Sequence, residues 1–232
     1  MSLRLKLLPL ALFVLATQLC AADIWGGPAF SADPESLRQA AASIKAEKDS
    51  PATVLLNEWH IDFDESGRLV KNRRLIYRIE TQDGVENWAE SSGRWEAWHQ
   101  SRPEIKARVV TVEGTVHWLD PNTLNDVPVH QDAPDLYGDE RRYAGPLPAI
   151  AIGSIVEEQI ITRETAPLFA AGSSYRWNFG WNVPVNKSRF VLTHPVSLPI
   201  TYRSHMFPEA GITKSTQGGM ETINFELNSL AA

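Results

Sequence analysis

Cysteine is almost missing from this chain of 232 residues: there is one, Cys20. It lies in "MSLRLKLLPLALFVLATQLCAA", where Arg4 and Lys6 precede an apolar stretch over 7–16 and small residues close the run. That is the layout of a secretory signal peptide, cleaved after Ala21 or Ala22. A lipoprotein leader would need a small residue before Cys20, and "TQL" does not supply one. The mature chain would then have no cysteine, which excludes a disulfide, a thiolate nucleophile and a Cys-ligated metal. Long hydrophobic runs are also absent, since the 7–16 stretch is too short for a bilayer span. Positive charge is scarce. Once Arg4 and Lys6 are gone, 20 basic side chains face 28 acidic ones, a net charge of about −8. An acidic chain with no basic patch is a poor partner for nucleic acid or an anionic membrane surface.

What remains is an ordinary globular composition, 43% hydrophobic and 22% charged, which argues against disorder and allows a substantial core. A loop leads to "DPESLRQAAASIKAEKDS", with Asp33 as N-cap, Pro34 at the first helical position and Glu35 at the positive end of the dipole. Leu37, Ala40, Ala41 and Ile44 recur at helical spacing, so a helix over 33–48 is expected, and Pro51 bars its continuation. Beyond Pro51 the chain reads as strands and turns. Leu55, Trp59, Ile61 and Phe63 alternate with polar residues, "DESG" turns, and 69–80 returns. "TQDG" over 81–84 reads as a second turn, and Glu113-Gly114 as the turn of a further hairpin. Later strands are expected over 153–162, 174–181, 188–193, 200–205 and 220–227. The fold class that follows is all-β, an antiparallel β-sandwich with a short N-terminal helix. There is no internal repeat and no low-complexity tract.

Residues of catalytic type are present, but their spacing is unpromising. Glu157 and Glu158 sit side by side in "AIAIGSIVEEQIIT". Adjacent strand residues point to opposite faces, whereas a glycosidase pair must face one bond roughly 5 to 9.5 Å apart. Each glutamate is expected to be solvated or salt-bridged on its own side, or the pair to mark a bulge. In "EWHID", Glu58, His60 and Asp62 share one strand face, but three ligands at that spacing span roughly 13 Å, too far for one ion. They read as a wet face with "KNRR" as cross-strand partners. "HQDAPDLYGDE" has oxygen ligands in no calcium-loop spacing and reads as an acidic turn. No G-x-S-x-G elbow occurs, and "GGPAF" and "GGM" are loop glycines rather than phosphate cradles.

Tryptophan is the compositional excess, with eight residues. Trp88, Trp95 and Trp98 cluster around "GRWEAWHQ", and Trp177 and Trp181 frame "RWNFGW". Most are expected in the core. Trp95 and Trp98 sit among polar neighbours, however, so with Trp181 they are the candidate interaction residues for sugar rings or a partner domain.

Four stretches in order, "DESGRLVKNRRLIYRIETQDGVE", "PEIKARVVTVEGTVHWLDPNTLND", "LPAIAIGSIVEEQI" and "PVNKSRFVLTHP", resemble domain of unknown function 3857. That domain precedes bacterial transglutaminase-like domains, and the resemblance covers about residues 52–227. It implies an exported β-sandwich, periplasmic or extracellular, beside a papain-like transglutaminase or peptidase domain that carries the Cys/His/Asp triad. It supplies no catalytic residues for this chain. The expected organisation is a signal peptide over 1–22, a loop and short helix over 23–51, and the sandwich over 52–230. The expected function is a non-catalytic accessory module, with a transglutaminase-like partner in the same or another chain. The alternative is a secreted carbohydrate-binding module with a glycan or cell-envelope ligand. No cofactor and no metal are expected.

Overall fold

The computed structural model describes residues 24–129, 138–169 and 174–232. The expected signal peptide and residues 130–137 of the acidic loop lie outside them. A long hairpin, β1 (Ala52–Phe63) and β2 (Leu69–Ile79), forms the middle of the fold. Its turn is tied by the Asp64 carboxylate, which accepts from the backbone N–H groups of Ser66 and Arg68, and by Gly67 at a φ of +80°. The hydrogen bonds from Ser66 and Arg68 outweigh the small effect of burial and draw Asp64 down to about 2.

The remaining strands are β3 (Glu90–Glu96), β4 (Glu104–Val110), β5 (Val116–Trp118), β6 (Asn125–Pro128), β7 (Glu140–Pro146), β8 (Ile155–Arg163), β9 (Val185–Pro195), β10 (Ile212–Gln217) and β11 (Met220–Leu230). One sheet has eight strands in the order β10-β11-β9-β1-β2-β8-β4-β5, and the other has three in the order β3-β7-β6. The antiparallel expectation holds with one exception: β1 runs parallel to β9, from Val54 beside Val185 to Asp62 beside Thr193. A bulge at Leu55 turns Val54 toward one face and Leu56 toward the other.

The two faces of the large sheet have different covers. On one, Leu75, Tyr77, Val109 and Val156 pack with Val85, Trp88 and Leu147 beneath the small sheet. On the other, Leu56, Ile76, Val110 and Ile155 receive Leu37 and Ala41 of the helix α1 (Pro34–Ala42). Asp33 caps this helix as expected, accepting from Ser36 N–H at 3.0 Å. The helix stops at Ala42 rather than at 48. Ser43 turns its hydroxyl back to the Ala40 carbonyl, and Arg78 of β2 takes the carbonyls of Ala41 and Ile44. A guanidinium thus satisfies the orphan carbonyls that another helical turn would have used.

Three further expectations are corrected. Residues 174–181 and 200–205 form no strand; they lie across the β9–β11 end of the sheet as aromatic cover. The turn over 81–84 is the start of a short helix, α2 (Gln82–Asn87), capped by the Thr81 hydroxyl. Strands β3, β6, β7 and β10 were not anticipated, because they carry few apolar residues at strand spacing.

Gly84 lets α2 press against the chain entering β1: a Cβ there would lie 2.0 Å from the Pro51 carbonyl oxygen. Helix propensity alone predicts that Gly84→Ala stabilises the protein by up to about 1 kcal/mol. The contact predicts the opposite sign, a loss of about 2–3 kcal/mol in chemical denaturation.

Candidate functional site

The adjacent glutamates of β8 do point to opposite faces, and both are used. Glu157 has no exposed surface. Its Oε1 accepts from Arg74 Nε of β2 at 2.9 Å and from the Phe30 backbone N–H at 2.8 Å. Its Oε2 accepts from Arg108 Nε and Nη2 of β4 at 2.9 and 2.6 Å. The two guanidiniums reach further: Arg74 Nη1 donates to the Gly27 carbonyl at 2.6 Å, and Arg108 Nη2 to that of Ala32 at 2.8 Å. A buried carboxylate is tolerable only when paired and hydrogen-bonded, and this one is saturated. On the opposite face Glu158 accepts from the Ser91 hydroxyl of β3 at 2.7 Å, with Arg73 Nη1 at 3.6 Å. One glutamate clamps the N-terminal segment and the other ties the small sheet.

Glu58, His60 and Asp62 share a face as expected, but Glu58 is not on a wet surface. It is buried, accepts from Arg189 Nη1 at 2.8 Å, and lies 3.2 Å from His60 Nε2. Arg189 also donates to Glu226 on β11 at 3.1 Å. Of the cross-strand partners expected in "KNRR", Arg74 stands opposite Glu58 in the register but spends its guanidinium on Glu157. Burial would raise the Glu58 carboxyl. The hydrogen bond from His60 and the charges of His60, Arg189 and Arg74 outweigh it and hold the group below the ordinary range. Among the described residues no three His, Cys, Asp or Glu side chains could hold a metal ion.

The three candidate tryptophans do not share a platform. Trp181 is half-buried against the main core, stacked on Trp88 at 5.8 Å, with the Arg73 guanidinium 5.2 Å from its ring centroid. Trp95 is half-buried on the side of β3 that Ser91 and Gly93 turn to the large sheet, and its buried Nε1 has no hydrogen-bond partner among the described residues. Only Trp98 is open, 56% exposed. Its indole N–H donates to Glu96 at 3.1 Å and its backbone N–H to Asp139 at 2.9 Å.

Beneath Trp98 is a polar cluster that sequence reasoning missed. The His99 ring, 3% exposed along its side chain, lies 4.2 Å from the Trp98 ring. Its Nε2 is 3.2 Å from Glu96 and its Nδ1 3.8 Å from Glu164. Glu164 also accepts from the Leu69 N–H and the Tyr175 hydroxyl, both at 3.0 Å. Lys71 lies 5.1 Å from the Tyr175 ring centroid; burial lowers its ammonium, and the charges of Glu164 and Glu96 offset part of that. These groups come from positions too far apart in the chain to form a motif. Together they fasten the ends of β3 and β8 to the start of β2.

Residues 65–232 match the family described as a domain of unknown function with solved structure, DUF3857. The chain belongs to this family. No curated protein sequence matches it. Among solved structures, a candidate protease from Parabacteroides distasonis aligns with a TM-score of 0.67 at 12% identity. The alignment covers 78% of this chain and 36% of that one. An M1 zinc metallopeptidase from Deinococcus radiodurans aligns at 13% identity with a TM-score of 0.38, over 78% of this chain and 40% of that one. The chain therefore spans little more than a third of the first of these proteins. The first of these likenesses shows a shared fold over 78% of this chain.

The buried carboxylates Glu157 and Glu58 make two predictions. Glu157→Gln leaves Arg74 and Arg108 buried without a counter-charge, and should cost about 3–5 kcal/mol in urea denaturation. For Glu58 the folded value is the lower one, so its contribution is complete above the unfolded value near 4.5 and is lost as pH falls through the folded one. Glu58→Gln should therefore flatten the acid limb of a stability-against-pH curve, with little further change in slope above pH 5.

Proposed function

We propose that this DUF3857 chain is a non-catalytic, exported module that works beside a transglutaminase-like or peptidase-like domain, in the same chain or another. The observation that carries the reading is the occupation of its most enzyme-like residue. Glu157, central in the fold and flanked by a second carboxylate, has both oxygens filled by structural donors and no exposed surface. A general acid or nucleophile needs a free position for substrate, and Glu157 has none. The fold likeness to 36% of a candidate protease supports the same reading, because a module of that share leaves most of such a protein to other domains.

A second reading, a glycan or cell-envelope binder, is favoured by Trp98 alone, the one candidate tryptophan that presents its ring to solvent. Trp95 and Trp181 are turned to packing and weaken it.

The chain from Ala22 onward, assayed alone, should incorporate no amine into a glutamine donor and hydrolyse no peptide. Turnover without an added partner would overturn the accessory reading. For the second reading, soluble cell-wall glycans should quench the fluorescence of the native chain and not that of Trp98→Ala; equal responses would remove it.

A further inference from the structure

The aromatic cover at the β9–β11 end of the large sheet does not close. Residues 176–179 and 204–207 leave a cleft of about 580 Å3 between them. Phe190 of β9 and Phe225 of β11 form its floor, each 7% exposed. Trp177, Phe179 and Phe207 form its walls, with ring centroids 4.6 Å apart for Trp177 and Phe190 and 4.8 Å for Phe179 and Phe207. Volume and lining fall within the usual range for a small-ligand site.

The mouth is polar and of one sign. Arg176, Asn178, Ser204 and His205 line it, all exposed. Among the described residues neither Arg176 nor His205 has a charged partner. The buried and half-buried arginines, by contrast, are committed to carboxylates. The backbone here is equally uncommitted. Residues 176–181 alternate exposed and half-buried as a strand would, yet among the described residues they pair with no strand. Residues 176–179 lie along the edge of the aromatic cleft.

We propose that this cleft receives the carboxy-terminal end of a peptide whose last residue is aromatic or large and aliphatic. The apolar side chain enters among the five rings. The α-carboxylate meets Arg176, whose planar fork of donors suits a carboxylate, with His205 as a second donor. Asn178 and Ser204 serve the preceding amide, and residues 176–179, which pair with no strand among the described residues, offer main-chain groups to an extended ligand. A fatty acid would use the apolar floor and Arg176 but leave the two neutral polar groups idle. Two neutral hydrogen-bonding side chains beside the cation are what select the peptide.

The test is calorimetric titration of the chain from Ala22 onward with acetyl-Gly-Gly-Phe as free acid, the same peptide as its C-terminal amide, and decanoate. The free acid should bind, with the amide and decanoate each weaker by about tenfold or more, as loss of a charge-assisted contact implies. Arg176→Gln, an exposed position that the fold does not need, should bring the free acid down to the amide's level. Phe207→Ala should weaken acid and amide alike. Equal affinity for acid and amide, a preference for decanoate, or no saturable heat at millimolar peptide would each overturn the proposal. None of those results touches the accessory reading, which is judged by enzymatic turnover.

Discussion

The carboxylate of Glu157 is where the large sheet and the N-terminal segment become one body. Arg74 and Arg108 bring more donors than a single carboxylate accepts, and the surplus is directed to the Gly27 and Ala32 carbonyls. The segment returns one donor, the Phe30 N–H, to the same carboxylate. Charges this deep in the protein must be matched or the fold pays their full desolvation, so few alternative placements of residues 24–32 would satisfy all three ions. The clamp thereby positions α1, whose Leu37 and Ala41 close the second core cluster. Apolar burial supplies the driving force there, and the clamp supplies the address.

The period-two geometry of β8 divides the molecule at that point. Glu157 serves the face that carries α1, and Glu158, one residue on, serves the face that carries the small sheet through Ser91. Three strands cannot cover eight. Where the small sheet ends, Phe190, Leu192, Ile223 and Phe225 still need shielding, and they receive it from irregular segments rich in aromatic rings. Rings tilted against one another at 46–89° pack less continuously than interlocked strands. The cleft beside Trp177 and Phe207 follows from that mismatch between sheet width and cover.

The same economy explains why acidic residues that invite a catalytic interpretation turn out to be fasteners. Glu58 bridges β1, β9 and β11 through Arg189, Glu157 bridges β2, β4, β8 and the N-terminal segment, and Glu164 gathers Leu69, His99 and Tyr175. Each links elements distant in the chain. The tryptophans divide in the same way: Trp88 and Trp181 stack inside, and Trp98 roofs a buried histidine while presenting its other surface to solvent.

Much of this was legible beforehand because it is local. The β1–β2 hairpin follows from alternation on either side of "DESG", the cap of α1 from Asp33 and Pro34, and the divergence of Glu157 and Glu158 from the pleat of a strand. The order of four short patterns was enough for the family. Strand pairing beyond the hairpins was not legible, since the parallel contact of β1 with β9 joins residues some 130 positions apart and no local pattern encodes it. Residues 174–181 show the limit most clearly. Their alternation is that of a strand, but being a strand also requires a neighbour. The sequence by itself determined which way side chains face along an unbroken strand, because that depends on backbone periodicity; the bulge at Leu55, which sets Leu55 on the face opposite Trp59 and Ile61, was not in the pattern. Only the tertiary structure decided which charges meet and which edges stay open, because those depend on which distant segments arrive.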